Sequence, residues 1–226
     1  MNKNIHSVAM PPTYGEVLIP CGKTQLKGDL AVPANARGIV LFAHGSGSSR
    51  RSSRNRFVAE QINDIGLATL LFDLLTPQEA EEDYHTGELR FNIPFLAGRL
   101  RDATRWVREE ASLEGLKIGY FGASTGAAAA LTAASSDPAI EAVVSRGGRT
   151  DLATEVENVQ AATLLIVGGL DRTVIRWNEE TYSHLRCEKM ISVVEGASHL
   201  FEEIGKLEEV AELAASWFKL YLKPSK

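Results

Sequence analysis

The stretch Leu116-Lys-Ile-Gly-Tyr-Phe-Gly-Ala-Ser124-Thr-Gly126, continued by four alanines at 127–130, decides how the rest of the chain is read. Ile118, Tyr120 and Phe121 give it strand character, and the alanine run that follows favours a helix. Between them Gly122 and Gly126 flank Ser124 with one residue on each side. This Gly-x-Ser-x-Gly pattern is that of a strand–turn–helix elbow, in which the serine backbone is strained and the hydroxyl is raised above the strand for attack. Five residues rich in Gly, Ala and Ser also make an ordinary tight strand-to-helix connection, so the reading turns on what lies at the other strand ends.

Working outward, Gly38–Ala43 is a continuous apolar run of the kind buried on both faces, and it stops at His44-Gly-Ser-Gly-Ser-Ser-Arg50. A helix is expected over Asn55–Ile65, stopped by Gly66, then a strand over Leu67–Leu75. Thr76–Asn92, with Glu79, Glu81, Glu82 and Asp83, reads as an exposed loop or short helix near the mouth of a site. Ile93–Glu110 carries Leu96, Leu100, Ala103, Trp106 and Val107 on one helical stripe. Beyond the elbow, strands are expected at Ile140–Ser145, Ala162–Val167 and Met190–Val194. Helices are expected at Thr150–Val159, with Thr150 as N-cap, at Val174–Leu185 and at Leu200–Leu222. Ahead of all of these, Glu16–Pro20 and Thr24–Val32 form an antiparallel hairpin at one sheet edge. The alternation predicts an α/β fold: a mostly parallel, doubly wound sheet of about eight strands with helices on both faces and no cap domain. Residues 14–223 are expected to form a single domain behind a flexible N-terminal arm at 1–13, where Pro11 and Pro12 discourage regular structure.

Composition bounds the function. With 226 residues, 44% of them hydrophobic and 23% charged, the chain has the balance of a globular protein. Its longest apolar runs are strand-sized, which argues against a membrane protein, and Met1–Pro12 lacks an apolar signal region, so a cytoplasmic location is the default. A net charge of −5 argues against nucleic acid as a partner. Cys21 and Cys187 lie far apart and show no metal-like spacing, so both are expected as reduced thiols. A homodimer is neither indicated nor excluded.

A serine hydroxyl needs a base, the base an orienting carboxylate, and the developing oxyanion preorganised N–H donors. His199 follows the last expected strand and Asp171 follows Gly168-Gly-Leu, so both emerge at the same sheet edge as Ser124. Asp73 and Asp151 compete with Asp171, but the chain order Ser124, Asp171, His199 favours Asp171, and Asp73 is expected to anchor a loop. The backbone N–H of Thr125 and that of Ser46 are the expected oxyanion donors. His44 reads as a support for that loop, and His6, His85 and His184 as surface residues. Arg50, Arg51 and Arg54, with Arg56 beside them and Arg146 and Arg149 at another strand end, are candidates for binding a substrate carboxylate or phosphate. Positive charge at a helix N-terminus opposes the macrodipole, which makes the first group unexpected for stability alone.

Along nearly its whole length the chain resembles the α/β-hydrolase superfamily, and within it the dienelactone hydrolase family. Gly45–Ala59 is also similar to a subgroup of hydrolase domains found next to phosphoribosyltransferase domains. The resemblance implies a serine hydrolase acting on a small-molecule ester or thioester, with no cofactor or metal. The dienelactone-cleaving relatives carry a cysteine nucleophile where this chain has Ser124, which favours an esterase-like activity over lactone cleavage. The alternative is a non-catalytic domain of the same fold used for ligand binding or assembly.

Overall fold

The structure, a computed structural model, describes residues 13–223. It is built on one eight-stranded sheet: β1 (Thr13–Cys21), β2 (Thr24–Val32), β3 (Gly38–Ala43), β4 (Ala68–Phe72), β5 (Lys117–Ala123), β6 (Ile140–Arg146), β7 (Ala162–Gly168) and β8 (Lys189–Val194). The spatial order is β1-β2-β4-β3-β5-β6-β7-β8. β1 and β2 pair antiparallel, β2 joins β4 antiparallel, and every other pairing is parallel. The hairpin turns at Gly22, whose φ of 59° suits glycine. β1 is longer than the expected Glu16–Pro20. Thr13, assigned to the N-terminal arm, opens this strand opposite Val32, and the remainder of that arm lies outside the described residues.

The central strands β3, β4 and β7 are buried at every position, as continuous apolar runs require when helices cover both faces. On one face lie α3 (Ile93–Glu109), α4 (Thr125–Ala134) and α5 (Arg172–His184). On the other, α1 (Ser53–Asp64) packs against α6 (Lys206–Tyr221). All ten residues of α4 are buried, because alanine at 127–130, 133 and 134 lets the helix lie close between the sheet and α3. Among the described residues no separate cap domain interrupts these elements; α2 (Pro77–Thr86) and α3 fill the connection from β4 to β5.

Two expectations are corrected, and a third, the loop or short helix expected at Thr76–Asn92, is met by a helix. Thr150–Val159 is not a helix but two short 3-10 turns, Thr150–Leu152 and Val156–Asn158. Glu155 between them has φ 56°, and tertiary bonds hold the backbone: Thr150 Oγ1 donates to Trp177 O and Thr154 N donates to Thr132 Oγ1. Thr150 therefore caps nothing. The last helix starts at Lys206 rather than Leu200, since Phe201 at φ 56° turns inward to the core and Gly205 at φ 79° sets the start. In the acidic run, Pro77–Thr86 is a defined helix, with a capping box in which Thr76 Oγ1 accepts from Glu79 N and the Glu79 carboxylate accepts from Thr76 N.

Candidate active site

Ser124 follows the last residue of β5 and precedes the first of α4, at φ 52° and ψ −119°. A non-glycine residue in that region is strained, and the surroundings hold it there. Ser124 N donates to Arg146 O at 3.1 Å, while Ser124 O accepts from Ala127 N and Arg149 N, each at 3.0 Å. Both elbow glycines are required by space rather than by φ. A Cβ on Gly122 would lie 2.6 Å from Gly126 O, and one on Gly126 would lie 2.6 Å from His44 O and closer still to Ala43 O. The first lets α4 fold back on β5; the second lets α4 start against the end of β3.

His199 lies in the loop after β8. The Glu203 carboxylate shapes that loop by accepting Ser198 N at 3.1 Å. Asp171 is the N-cap of α5; its Oδ1 accepts from Val174 N at 3.4 Å, leaving Oδ2 for the histidine. His199 Nδ1 lies 2.7 Å from Asp171 Oδ2, and Nε2 lies 3.3 Å from Ser124 Oγ. A carboxylate only accepts, so the proton belongs on Nδ1 and Nε2 is left with a lone pair facing the serine hydroxyl. The competing acids are engaged elsewhere. Asp73 accepts both the Arg50 backbone N–H, at 2.8 Å, and the Arg50 guanidinium. Asp151 makes two bonds of 2.9 Å to Arg149, whose guanidinium lies 4.5 Å above the Trp177 ring.

The loop after β3 lies against the elbow: a Cβ on Gly45 would sit 3.2 Å from Ser124 Cβ. His44 is buried, donating from Nδ1 to Gly45 O at 3.0 Å and accepting Leu74 N at Nε2 at 3.1 Å, so it ties the end of β3 to the residues after β4. Burial lowers its pKa, which suits a neutral ring with one donor and one acceptor. Thr125 is the first residue of α4, so its N–H has no acceptor within the helix. Ser46 is exposed on the loop, and both residues border a cavity of about 330 Å³. Leu74, Leu75, Pro77, Ala80, Tyr84 and Leu96 supply its apolar wall.

The arginines separate into different roles. Arg50, expected among the substrate-binding candidates, is instead a structural tie. Its buried guanidinium meets Asp73, Asp29 at 3.2 Å and Glu16 at 2.8 Å, which joins the loop to β4 and the hairpin. None of these three carboxylates was singled out as its partner from sequence, because they come from distant segments. Arg51 is exposed. Arg56 pairs with Asp29 at 3.6 Å and Arg54 with Glu202 at 2.7 Å, while Arg146 is buried. His85 and His184 are exposed, and His6 lies outside the described residues. Cys21 and Cys187 are free thiols. One missed signal was legible: Thr76-Pro-Gln-Glu79 is a capping-box sequence, and the helix it starts forms one wall of the cavity.

The model of the dienelactone hydrolase family matches residues 26–222. The chain belongs to the dienelactone hydrolase family. A solved dienelactone hydrolase from Anabaena variabilis ATCC 29413 is 53% identical and superposes with a TM-score of 0.92, covering 95% of this chain and all of that one. A Mycobacterium tuberculosis H37Rv protein named "putative phosphoribosyl transferase" is 50% identical over 218 residues, which cover 95% of this chain and 48% of that protein. The chain thus spans about half the length of the curated relatives it matches. Est1E from Butyrivibrio proteoclasticus shares the fold at 17% identity, with a TM-score of 0.74 over 91% of this chain and 98% of that one. Family and fold together make this a hydrolase-type α/β chain. No helix among the described residues is long and apolar enough to cross a membrane.

Proposed function

We propose that the chain is a serine hydrolase that cleaves small carboxylic esters or thioesters through an acyl-enzyme on Ser124. The observation that carries this reading is the unbroken relay from Asp171 Oδ2 through His199 to Ser124 Oγ, at 2.7 and 3.3 Å. His199 Nε2 takes the hydroxyl proton as Oγ attacks the substrate carbonyl, and Asp171 steadies the imidazolium that forms. The N–H groups of Thr125 and Ser46 receive the negative charge on the carbonyl oxygen. As the tetrahedral intermediate collapses, Nε2 returns the proton to the departing alcohol or thiol. Water, deprotonated by the same nitrogen, then releases the acid and restores Ser124. The cavity beside the two donors, about 330 Å³ and mainly apolar on one wall, suits a small acyl or alcohol group.

The test is labelling with a fluorophosphonate followed by peptide mass mapping, alongside hydrolysis of esters and acyl thioesters of graded length. Adduct on Ser124 and loss of turnover in Ser124→Ala are expected. A folded protein that takes no label, or a Ser124→Ala variant that keeps full activity, overturns the proposal and favours a ligand-binding domain.

A further inference from the structure

The turn Arg146-Gly-Gly-Arg149 at the end of β6 is joined by one buried amide to α5, the helix that Asp171 caps. Asn178 of α5 is fully buried. Its Nδ2 donates to Gly148 O at 2.9 Å and to Val174 O at 2.8 Å. Two carbonyls face the side chain, so its donor end must point at them, and both hydrogens are used. Its Oδ1 is sealed from solvent and has no partner among the described residues. Val174 and Thr181, the other buried residues of α5, lie four residues before it and three after, so helical spacing asks for an apolar side chain at 178. An unsatisfied buried oxygen is costly, and stability alone gives little reason to keep the amide.

What the amide touches supplies a reason. Gly148 C=O and Arg149 N–H are the two ends of one rigid peptide group. The oxygen accepts from Asn178, and the N–H donates to Ser124 O at 3.0 Å. Ser124 C=O in turn shares its peptide with the Thr125 N–H, which has no acceptor within α4. A hydrogen-bonded run therefore leads from Asn178 Nδ2 through peptide 148–149 and peptide 124–125 to the N–H that faces a developing oxyanion. Because each peptide is planar, holding its oxygen also aims its N–H, and in a buried site each bond polarises the next. The turn has little room to find another arrangement: a Cβ on Gly148 would collide with Ser145 Oγ and stand 2.8 Å from Ala127 Cβ. The amide's other bond ends on Val174, whose own N–H is capped by Asp171 Oδ1 at 3.4 Å.

We propose that Asn178 is a positioning residue for the reaction at Ser124, acting through the 148–149 peptide to aim and polarise the Thr125 N–H. This rests on the serine-hydrolase reading. Asn178 touches neither substrate nor Ser124; it sets how well the oxyanion is received once Ser124 Oγ has attacked. Its effect therefore falls on the transition state and leaves substrate binding alone.

The experiment uses Asn178→Leu, which keeps the volume and removes the donor. With p-nitrophenyl butyrate, kcat is expected to fall about tenfold, less than the roughly 10²–10³ lost when an oxyanion donor is removed outright, while KM stays within about twofold. Inhibition by a trifluoromethyl ketone, whose adduct with a serine places an oxyanion where that of the ester forms, weakens by about the same factor. Thr163→Val is the control: it deletes another buried bond, from Thr163 Oγ1 to Ala161 O at 2.9 Å near the start of β7, and should lower Tm without moving kcat or the inhibition. Amide proton NMR reads the run without turnover. The Arg149 and Thr125 resonances are expected to move upfield in Asn178→Leu and to stay in place in Thr163→Val. A folded Asn178→Leu variant whose kcat lies within about twofold of wild type, or whose Arg149 and Thr125 resonances are unchanged, overturns the proposal. Should Asn178→Leu not fold, the smaller Asn178→Val is read by the same measures. If the wild type neither cleaves the ester nor takes up a fluorophosphonate, the hydrolase reading fails separately, and the amide resonances alone then decide whether Asn178 governs the Thr125 N–H.

Discussion

Replacing Gly126 by alanine should disable the site without removing any residue of the relay. The added Cβ would stand 2.6 Å from His44 O and closer to Ala43 O, both backbone atoms at the end of a fully buried strand. No flexible side chain can yield there, so the start of α4 must withdraw by at least about 0.8 Å to reach ordinary contact, a displacement that well-aligned sites do not tolerate. Thr125 N–H and Ser124 belong to that same turn and move with it. Losing one oxyanion donor costs about 2.7–4 kcal/mol of barrier, or roughly 10²–10³ in kcat. The assay is single-turnover acylation with a p-nitrophenyl ester, run beside a thermal melt so that lost activity is separated from lost fold. Gly98→Ala is the control: Gly98 lies inside α3, a Cβ there would meet nothing nearer than 3.9 Å, and the change should stabilise by about 0.5–1 kcal/mol without slowing acylation. A folded Gly126→Ala variant with kcat within threefold of wild type refutes the reasoning.

Two further outcomes follow from the same loop. Arg50→Met strands Asp73 and loosens the segment bearing Ser46; because Asp29 and Glu16 are partly exposed, the loss should be about 2–3 kcal/mol rather than that of a fully buried network, and a change below 0.5 kcal/mol in a urea melt would contradict the assigned tie. His44 has a folded pKa below its unfolded value of 6.5, so its contribution is present above pH 6.5 and is lost as pH falls from there toward the folded value. The difference in stability between wild type and His44→Gln should therefore shrink on acidification with a slope of up to about 1.4 kcal/mol per pH unit, and a flat difference between pH 7.5 and 5 would show that the ring is not held neutral.

The features legible in the sequence were those fixed locally. Gly38–Ala43 reads as a buried strand because nothing in it is polar, and the spacing of Gly122, Ser124 and Gly126 states a steric requirement that the coordinates then show against Ala43 and His44. Residues placed at strand ends could be expected at one sheet edge before any distance was known. The roles of the arginines could not be read, since the partners of Arg50 lie 21, 23 and 34 residues away, on β1, on β2 and just past the end of β4. Nor could the end of the helical pattern at 150–159, where side chains of Thr150 and Thr132 bond to backbone atoms of other segments and override the apolar spacing.

The helix Pro77–Thr86 is attached differently from its neighbours. Asp83 is its only buried residue, and it is moored by ionic bonds: Glu79 to Arg99 of α3, and Asp83 to Arg90 in the turn that follows. Burial pushes the Asp83 carboxyl up, but the backbone and guanidinium of Arg90 and the N–H of Leu89 outweigh it and hold the group below its ordinary range. A wall secured at a few charged anchor points, with no stake in the apolar core, is a replaceable part. Tyr84 and Ala80 on its cavity side can be exchanged, or the whole turn-and-helix grafted from a relative, while Thr76, Glu79, Asp83, Arg90 and Arg99 keep it seated. The lineage can therefore change the shape of the molecule it admits without touching the alanine-packed helix that carries the serine.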